Sequence, residues 1–389
     1  MHPRRSIACF RNDLEGEEVI FAEPREIVVA REAEDFLPAL DRVEEARRSG
    51  KWLAGYLSYE AGYLLDPALV SSLPSGRRAP LLCFGVFDGP ADASVPDKPT
   101  NAAIHDARAA WSQAQYAQRF ERLHRHLRAG DCYQANLTFP VEAAWDGDPL
   151  ALFAALRRRQ PVRHSAFIDL DGPVVLSRSP ELFFSVSRDR WIETLPMKGT
   201  APRGSTPGED EALREFLRND PKNQAENRMI VDLLRNDISR ISEVGTLDVP
   251  ELFRIESYAP VHQMVSLVRA RLLEGLAFRD ILAALFPCGS ITGAPKISAM
   301  KILRALEDTP RDVYCGAVGW IAPHGGMRFN VAIRTISLFP GGRAVFNVGG
   351  GVVFDSTAEG EYARALPKGR RATGQRPASA RPRLSAGSP

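Results

Sequence analysis

The chain has 389 residues, 44% of them hydrophobic, enough to bury one large core or two ordinary ones. Its 50 basic residues against 48 acidic ones leave a formal charge of +2, which excludes the concentrated positive field of a nucleic-acid binder and favours small-molecule chemistry. Cys9, Cys83, Cys132, Cys288 and Cys315 are scattered, without the close pairs of a zinc or redox site, and no apolar run has the length of a signal sequence or a membrane span. Reduced, mostly buried thiols, no membrane partner and a cytoplasmic location are expected.

From about Arg25 to Asp88, "EIVVA" predicts a strand, "DFLPALDRVEEARRS" a helix, and "KWLAGYLSYEAGYLL" and "PLLCFGVFDG" further apolar elements. "GPADASVPDKPTNAA", residues 89–103, has no apolar period and reads as a linker. Residues 1–103 are therefore expected as an N-terminal part with its linker, and 104–366 as the region that carries the chemistry. In "SQAQYAQRFERLHRHLRAG", Ser112 and Gln115 have capping-box spacing and Gly130 supplies the stop. "CYQANLTFP" alternates, with Tyr133, Ala135, Leu137 and Phe139 on one face and Gln134, Asn136 and Thr138 on the other. That amide face needs polar company.

"SAFIDLDGPVVLSRSPELFFSVSRDRWIETLPMKGT" and "YCGAVGWIAPHGGMRFNVAIRTISLFPGGRAVFNVGGGVVFDS" predict two antiparallel meanders. Mainly helices are expected between them: "DEALREFLRN", "PKNQAENRMIVDLLRND", "AFRDILAALF" and "PKISAMKILRAL". The fold class is α+β, with sheets packed together and helices outside. From about Pro367 the Arg/Pro/Ala/Ser/Gly composition predicts a disordered tail, 367–389.

Several residues could carry chemistry. Lys198, after Pro196 and Met197 and before Gly199 and Thr200, is either a solvated lysine at a strand end or a nucleophile; neutralising it at pH 7 costs about 4.6 kcal/mol, which burial or a cationic neighbour must supply. Glu181 follows Pro180 and opens an apolar strand, so it is a surface carboxylate or, in apolar surroundings, a general acid or base with a raised pKa. In "PKNQAENRMIVDLLRND", capped by Asp220 and Pro221, Glu226 shares a face with Ile230 and Leu233 and is expected to point inward, paired with an arginine or holding a cation. "PCGSITGAPK" does not have the spacing of a phosphate loop; it is a glycine-containing turn into the helix near Pro295. Arg334 in "NVAIRTI" and the three glycines Gly349, Gly350 and Gly351 on a neighbouring strand suit a carboxylate.

Taken in order, "GDCYQANLT", "SRSPELFF", "PMKGTAPRG", "AENRMIVDLLRND", "HQMVSLVRARL", "FPCGSITGAPKISAMKIL", "YCGAVGWI", "NVAIRTI" and "GGGVVFDSTAEGEY" resemble the serial motifs of the chorismate-utilising enzymes, over roughly Gln113 to Tyr362. The resemblance implies an anthranilate-synthase-like fold, two large, mostly antiparallel sheets packed as a sandwich with helices outside. Anthranilate synthases typically have "PIAGT" where this chain has "PMKGT", and the lysine resembles the aminodeoxychorismate synthase branch. By that resemblance Lys198 attacks carbon 2 of chorismate as the 4-hydroxyl leaves, Glu181 protonates the departing hydroxyl, and ammonia from a separate glutamine amidotransferase subunit enters at carbon 4. The product, 4-amino-4-deoxychorismate, leads to p-aminobenzoate and folate. Gln134 stands where isochorismate and salicylate synthases have a lysine that activates water. Gly199, Thr200, Thr292, Gly293, Tyr314, Arg334 and Gly349 to Gly351 are implied substrate contacts, and Glu226 and Glu361 are implied ligands of Mg2+. The family usually continues "EY" with a residue and then "ET", whereas here Arg364 stands in place of the second glutamate, so weak magnesium binding and loss of the terminal helix are expected. Two other readings stand beside this one: anthranilate synthase component I, and a chorismate-binding pseudoenzyme.

Overall fold

The structure, a computed structural model, describes residues 5–95, 101–258 and 261–373, so part of the expected linker lies outside the described residues. The chain begins with β1 (Ile7–Asn12), β2 (Glu17–Ala22), β3 (Glu26–Ala30), α1 (Ala33–Arg48), β4 (Trp52–Leu57) and β5 (Leu82–Phe87). Beyond the linker come β6 (Ala103–Ala109), α2 (Gln113–Ala129) and β7 (Gln134–Asp146). Helix α2 has its capping box, Ser112 with Gln115, and ends on Gly130 in the left-handed conformation, where a side chain would be strained.

Strand β7 is buried on both faces from Gln134 to Val141, so the amide face is interior too. Its polar company is Glu307, which accepts from the Thr138 amide at 2.9 Å and the Thr138 hydroxyl at 3.1 Å. Tyr133 departs from the expected apolar face: it precedes the strand and is 65% exposed. There follow α3 (Pro149–Arg159), β8 (His164–Asp169), β9 (Val174–Ser179), β10 (Leu182–Val186), β11 (Trp191–Thr194), β12 (Met197–Pro202), α4 (Pro207–Asn219) and α5 (Pro221–Ser239), the last capped by the Asp220 side chain. Not only helices separate the two meanders, because β13 (Asp248–Ser257) and β14 (Val261–Arg271) pair there ahead of α6 (Phe278–Leu285), α7 (Gly289–Thr292), β15 (Gly293–Ala294) and α8 (Lys296–Leu306). The chain closes with β16 (Ala317–Ile321), β17 (Met327–Val331), β18 (Thr335–Phe339), β19 (Arg343–Val353) and α9 (Ala358–Thr373). The terminal helix is therefore present and takes in residues 367–373 of the expected tail; 374–389 lie outside the described residues.

Two antiparallel sheets result. The first runs β15-β7-β19-β18-β9-β8-β1-β2, with β6 also on β7; the second runs β12-β14-β11-β10-β17-β16-β4-β5-β3, with β13 also on β14. Residues ahead of the linker enter both, β1 beside β8 and β4 beside β16. Helices α2 and α3 cover the first sheet with Phe120, Leu123 and Phe153, and α1 and α6 cover the second with Phe36, Leu40 and Ile281. Between the sheets Phe21 of β2 meets Trp52 and Phe87 of β4 and β5, ring centroids 5.7 and 5.4 Å away. No helix among the described residues is long and apolar enough to cross a membrane.

Neither predicted meander stays within one sheet. The chain leaves the first sheet after β9 and enters the second at β10; it leaves the second after β17 and returns to the first at β18. The first crossing holds Pro180, which cannot donate to a ladder, and the second holds Arg334, whose φ of +51° is left-handed. The crossings are tied together: the Val331 amide donates to the Glu181 carbonyl at 3.1 Å and the Arg178 amide to the Arg334 carbonyl at 3.0 Å.

Candidate active site

The two crossings stand beside a cavity of about 250 Å³ between the sheets. Among its lining residues are Glu181, Lys198, Gly199, Thr200, Tyr314, Arg334, Gly349, Gly350 and Gly351, nine of the residues singled out from sequence. Lys198 lies within β12 rather than beyond a strand end. The β12–β14 register shifts between Met197 and Thr200, and Gly199 takes a φ of +91° with Asn223 against it, so the strand bulges where the lysine leaves it. Gln263 of β14 supports the bulge, donating to the Gly199 carbonyl at 2.7 Å and accepting from the Thr200 hydroxyl at 3.0 Å.

Lys198 is half-buried, and its Nζ donates to the Ser290 carbonyl at 3.3 Å. Glu181 is 5% exposed and accepts a 2.7 Å hydrogen bond from the Ser290 hydroxyl. Burial pushes its carboxyl up to about 7, against the opposing pull of the Ser290 hydroxyl, the charges of Lys198 and Arg334, and the Met197 backbone. The carboxyl is thus poised to hold or release a proton near neutral pH. Burial also holds the Tyr314 phenol well above its ordinary range, so it is a neutral hydroxyl. Lys198 and Arg334 are the cations of the lining and Glu181 its acid, a set suited to an anionic ligand.

The glycines of β19 let that strand approach closely. A side chain at Gly349 would overlap the Leu137 carbonyl, and one at Gly351 would come within 3.5 Å of both the Gln134 amide and Lys198 Nζ. Gln134 is 1% exposed, and its amide nitrogen has no hydrogen-bond partner among the described residues, leaving a buried donor beside the lysine.

Four expected site residues lie off the cavity lining. The Thr292 hydroxyl donates to the Cys288 carbonyl of its own turn at 3.1 Å, and Gly293 pairs with Ala135 of β7. Glu226 is half-exposed because the buried face of α5 runs through Asn227, Ile230, Val231 and Leu234, one residue round from the face read from sequence. Glu361 is buried, but its carboxylate accepts from Arg364 at 2.7 Å and Ser356 at 3.0 Å. With Glu361 held by Arg364, and with no cluster of three or more His, Cys, Asp or Glu side chains placed to hold a metal among the described residues, the side chains do not by themselves assemble a magnesium site.

Ser290, Asn136, Gln263 and Asn347 also line the cavity without having been singled out as site residues. Asn136 was within reach, since the amide face of "CYQANLTFP" already called for a polar environment; Ser290 sits in the "PCGSIT" turn with no pattern to mark its side chain.

The sequence profile described as "chorismate binding enzyme" matches residues 6–372. The chain belongs to this family of chorismate-binding enzymes. Among its relatives within the family, aminodeoxychorismate synthase component 1 of Klebsiella aerogenes is 44% identical over 261 residues, 67% of this chain and 57% of that protein. The Escherichia coli K12 protein of the same name is 41% identical over 66% of this chain and 56% of its own length. An anthranilate synthase component 1 of Haloarcula marismortui is 38% identical over 72% of this chain and 57% of its own. The matches thus span little more than half of each relative's length. In fold, the chorismate-binding chain is similar to anthranilate synthase component I of Streptococcus pneumoniae TIGR4, with a TM-score of 0.79 and 25% identity over 96% of this chain and 93% of that one.

Proposed function

We propose that this chorismate-binding enzyme is an aminodeoxychorismate synthase, making 4-amino-4-deoxychorismate from chorismate and ammonia on the route to p-aminobenzoate and folate. One observation carries the reading: an amine, Lys198 Nζ, and a carboxyl titrating near neutrality, Glu181, hydrogen-bond to the same residue at one wall of the cavity. Identities of 41–44% to proteins named aminodeoxychorismate synthase component 1 support it. In the reaction proposed, Lys198 first gives up its ammonium proton to solvent, and the free amine attacks carbon 2 while Glu181 gives its proton to the departing 4-hydroxyl, which leaves as water. Ammonia then attacks carbon 4, the carbon 2–nitrogen bond breaks to release the lysine, and the proton lost by the incoming nitrogen returns to Glu181. Arg334 and the amide-bearing wall hold the substrate carboxylates. Ammonia comes from a glutamine amidotransferase partner, in keeping with relatives named as a first component. The Arg364 contact with Glu361 favours a second reading, a chorismate binder without turnover.

Incubating the chain with chorismate and ammonium, with and without magnesium, and analysing products by mass spectrometry separates these readings. Aminodeoxychorismate supports the first, anthranilate replaces it with an anthranilate synthase, and unchanged chorismate supports the second. Without ammonia, a chorismate-derived mass is expected on the Lys198 peptide; full activity in Lys198→Ala removes the nucleophile assignment.

A further inference from the structure

Ser290 bridges the two reactive groups. Its hydroxyl donates to Glu181 Oε1 at 2.7 Å, and its carbonyl accepts from Lys198 Nζ at 3.3 Å. It is 4% exposed and lies in α7, whose position is fixed from behind. The guanidinium of Arg311, with 1% of its side chain exposed, donates to the carbonyl of the next residue, Ile291, at 3.1 Å and to the Asn136 carbonyl of β7 at 2.7 Å. Glu307 holds that guanidinium by bonds of 2.8 and 2.7 Å, and the Tyr59 ring lies 4.4 Å below it. A buried cation paired at each of its nitrogens therefore clamps the turn that presents Ser290, and its bonds to the Ile291 and Asn136 carbonyls cannot lengthen without moving α7 against β7.

We propose that Ser290 is the positioning residue of the cavity, setting the separation of Lys198 and Glu181 through its carbonyl and its hydroxyl. The inference deepens the proposed reaction and rests on its assignment of Lys198 as nucleophile and Glu181 as acid. The hydroxyl also controls the proton on Glu181. A donor aimed at a carboxylate favours the ionised form, so removing it leaves the proton more tightly held. The other groups facing that carboxyl are Lys198 from β12, Arg334 from the second crossing, the Met197 backbone, and the neutral Cys288 thiol, whose sulfur is 3.3 Å from the Ser290 hydroxyl. Ser290→Ala keeps Lys198, Arg334 and the Met197 backbone and deprives the Cys288 thiol only of its contact with the hydroxyl.

The test uses the full-length protein and two readouts. Carbodiimide reacts with protonated carboxyls, so the extent of labelling of the Glu181 peptide, followed by mass spectrometry against pH, reports the proton without any turnover. Its midpoint is expected to rise by about one pH unit in Ser290→Ala, and by less in Ser290→Cys, which keeps a weak donor. In the chorismate and ammonium assay, Ser290→Ala is expected to lower kcat roughly tenfold with little change in KM and to cost nothing further in a Glu181→Gln background, as for one residue acting through another. An unmoved labelling midpoint, or an equal loss in both backgrounds, overturns the inference while the proposed reaction stands. Full activity in Glu181→Gln overturns the acid assignment instead, and this inference falls with it.

Discussion

Glu181 is a carboxyl whose ionisation the fold opposes, and the sign of that opposition is measurable. Its folded value of about 7 lies above the ordinary 4.5 because burial removes water from the charged form. Below pH 4.5 folded and unfolded chains both hold the proton, and the group leaves stability unchanged. Between 4.5 and 7 the unfolded chain ionises first, so stability falls as pH rises, and above 7 the whole penalty is present. Glu181→Gln keeps the shape without the titration. Its Tm should exceed that of the parent at pH 8, by the equivalent of about 3 kcal/mol, and match it at pH 4. Equal differences at the two pH values would show that the Glu181 carboxyl is not shifted in the folded protein. Turnover in the same variant should drop by roughly two to four orders of magnitude, as for loss of a general acid.

Among elements, α9 carries the departure from the family pattern. Arg364 is one turn beyond Glu361 and pairs with it at 2.7 Å, the arginine 69% exposed and the glutamate 5%. The pair neutralises the carboxylate that the family resemblance assigns to magnesium. Because 358–373 is helical, Arg364→Glu would present a second carboxylate one turn from Glu361 and release the first from its cation. Titrating Mn2+ into each protein and reading the free ion by electron paramagnetic resonance should show at least tenfold tighter binding in Arg364→Glu. Identical titrations would mean that Glu361 does not face a cation site even when unpaired. Helix α9 escapes the sequence reading because its last residues, 367–373, share the Arg/Pro/Ala/Gly composition of 374–389. Helix α5 shows a subtler miss: its existence and cap followed from Asp220 and Pro221, but a periodic pattern tolerates rotation by one residue, and that rotation exchanges Glu226 for Asn227 on the buried face.

At the scale of the whole molecule, the interval between the sheets is apolar at one end and chemical at the other. Phe21, wholly buried, joins the sheets across Trp52 and Phe87, so Phe21→Ala should cost about 3 to 5 kcal/mol in denaturant unfolding and should loosen the whole sandwich in one transition. Two separate transitions would show that the sheets do not share one cooperative core. The α+β class and most of the helices and strands were readable because each rests on local chemistry: a period of two or 3.6, a cap, a turn glycine. Locally, Lys198 and Glu181 stay open between a surface residue and a reactive one, and their roles, like those of Arg334 and Gly349 to Gly351, come from the family resemblance. What local chemistry cannot express is which sheet a strand joins, because an interior strand of either sheet has the same apolar pattern. Only tertiary structure decided that each meander crosses between sheets at Pro180 and Arg334, and that the crossings bring Glu181 and Arg334 to one cavity. The same holds for Ser290, whose two bonds reach residues 109 and 92 positions away, and for Arg311, which reaches Asn136 across 175. Such pairings are set by close packing of buried polar groups that must each find a partner, a condition on the whole chain that no single motif records.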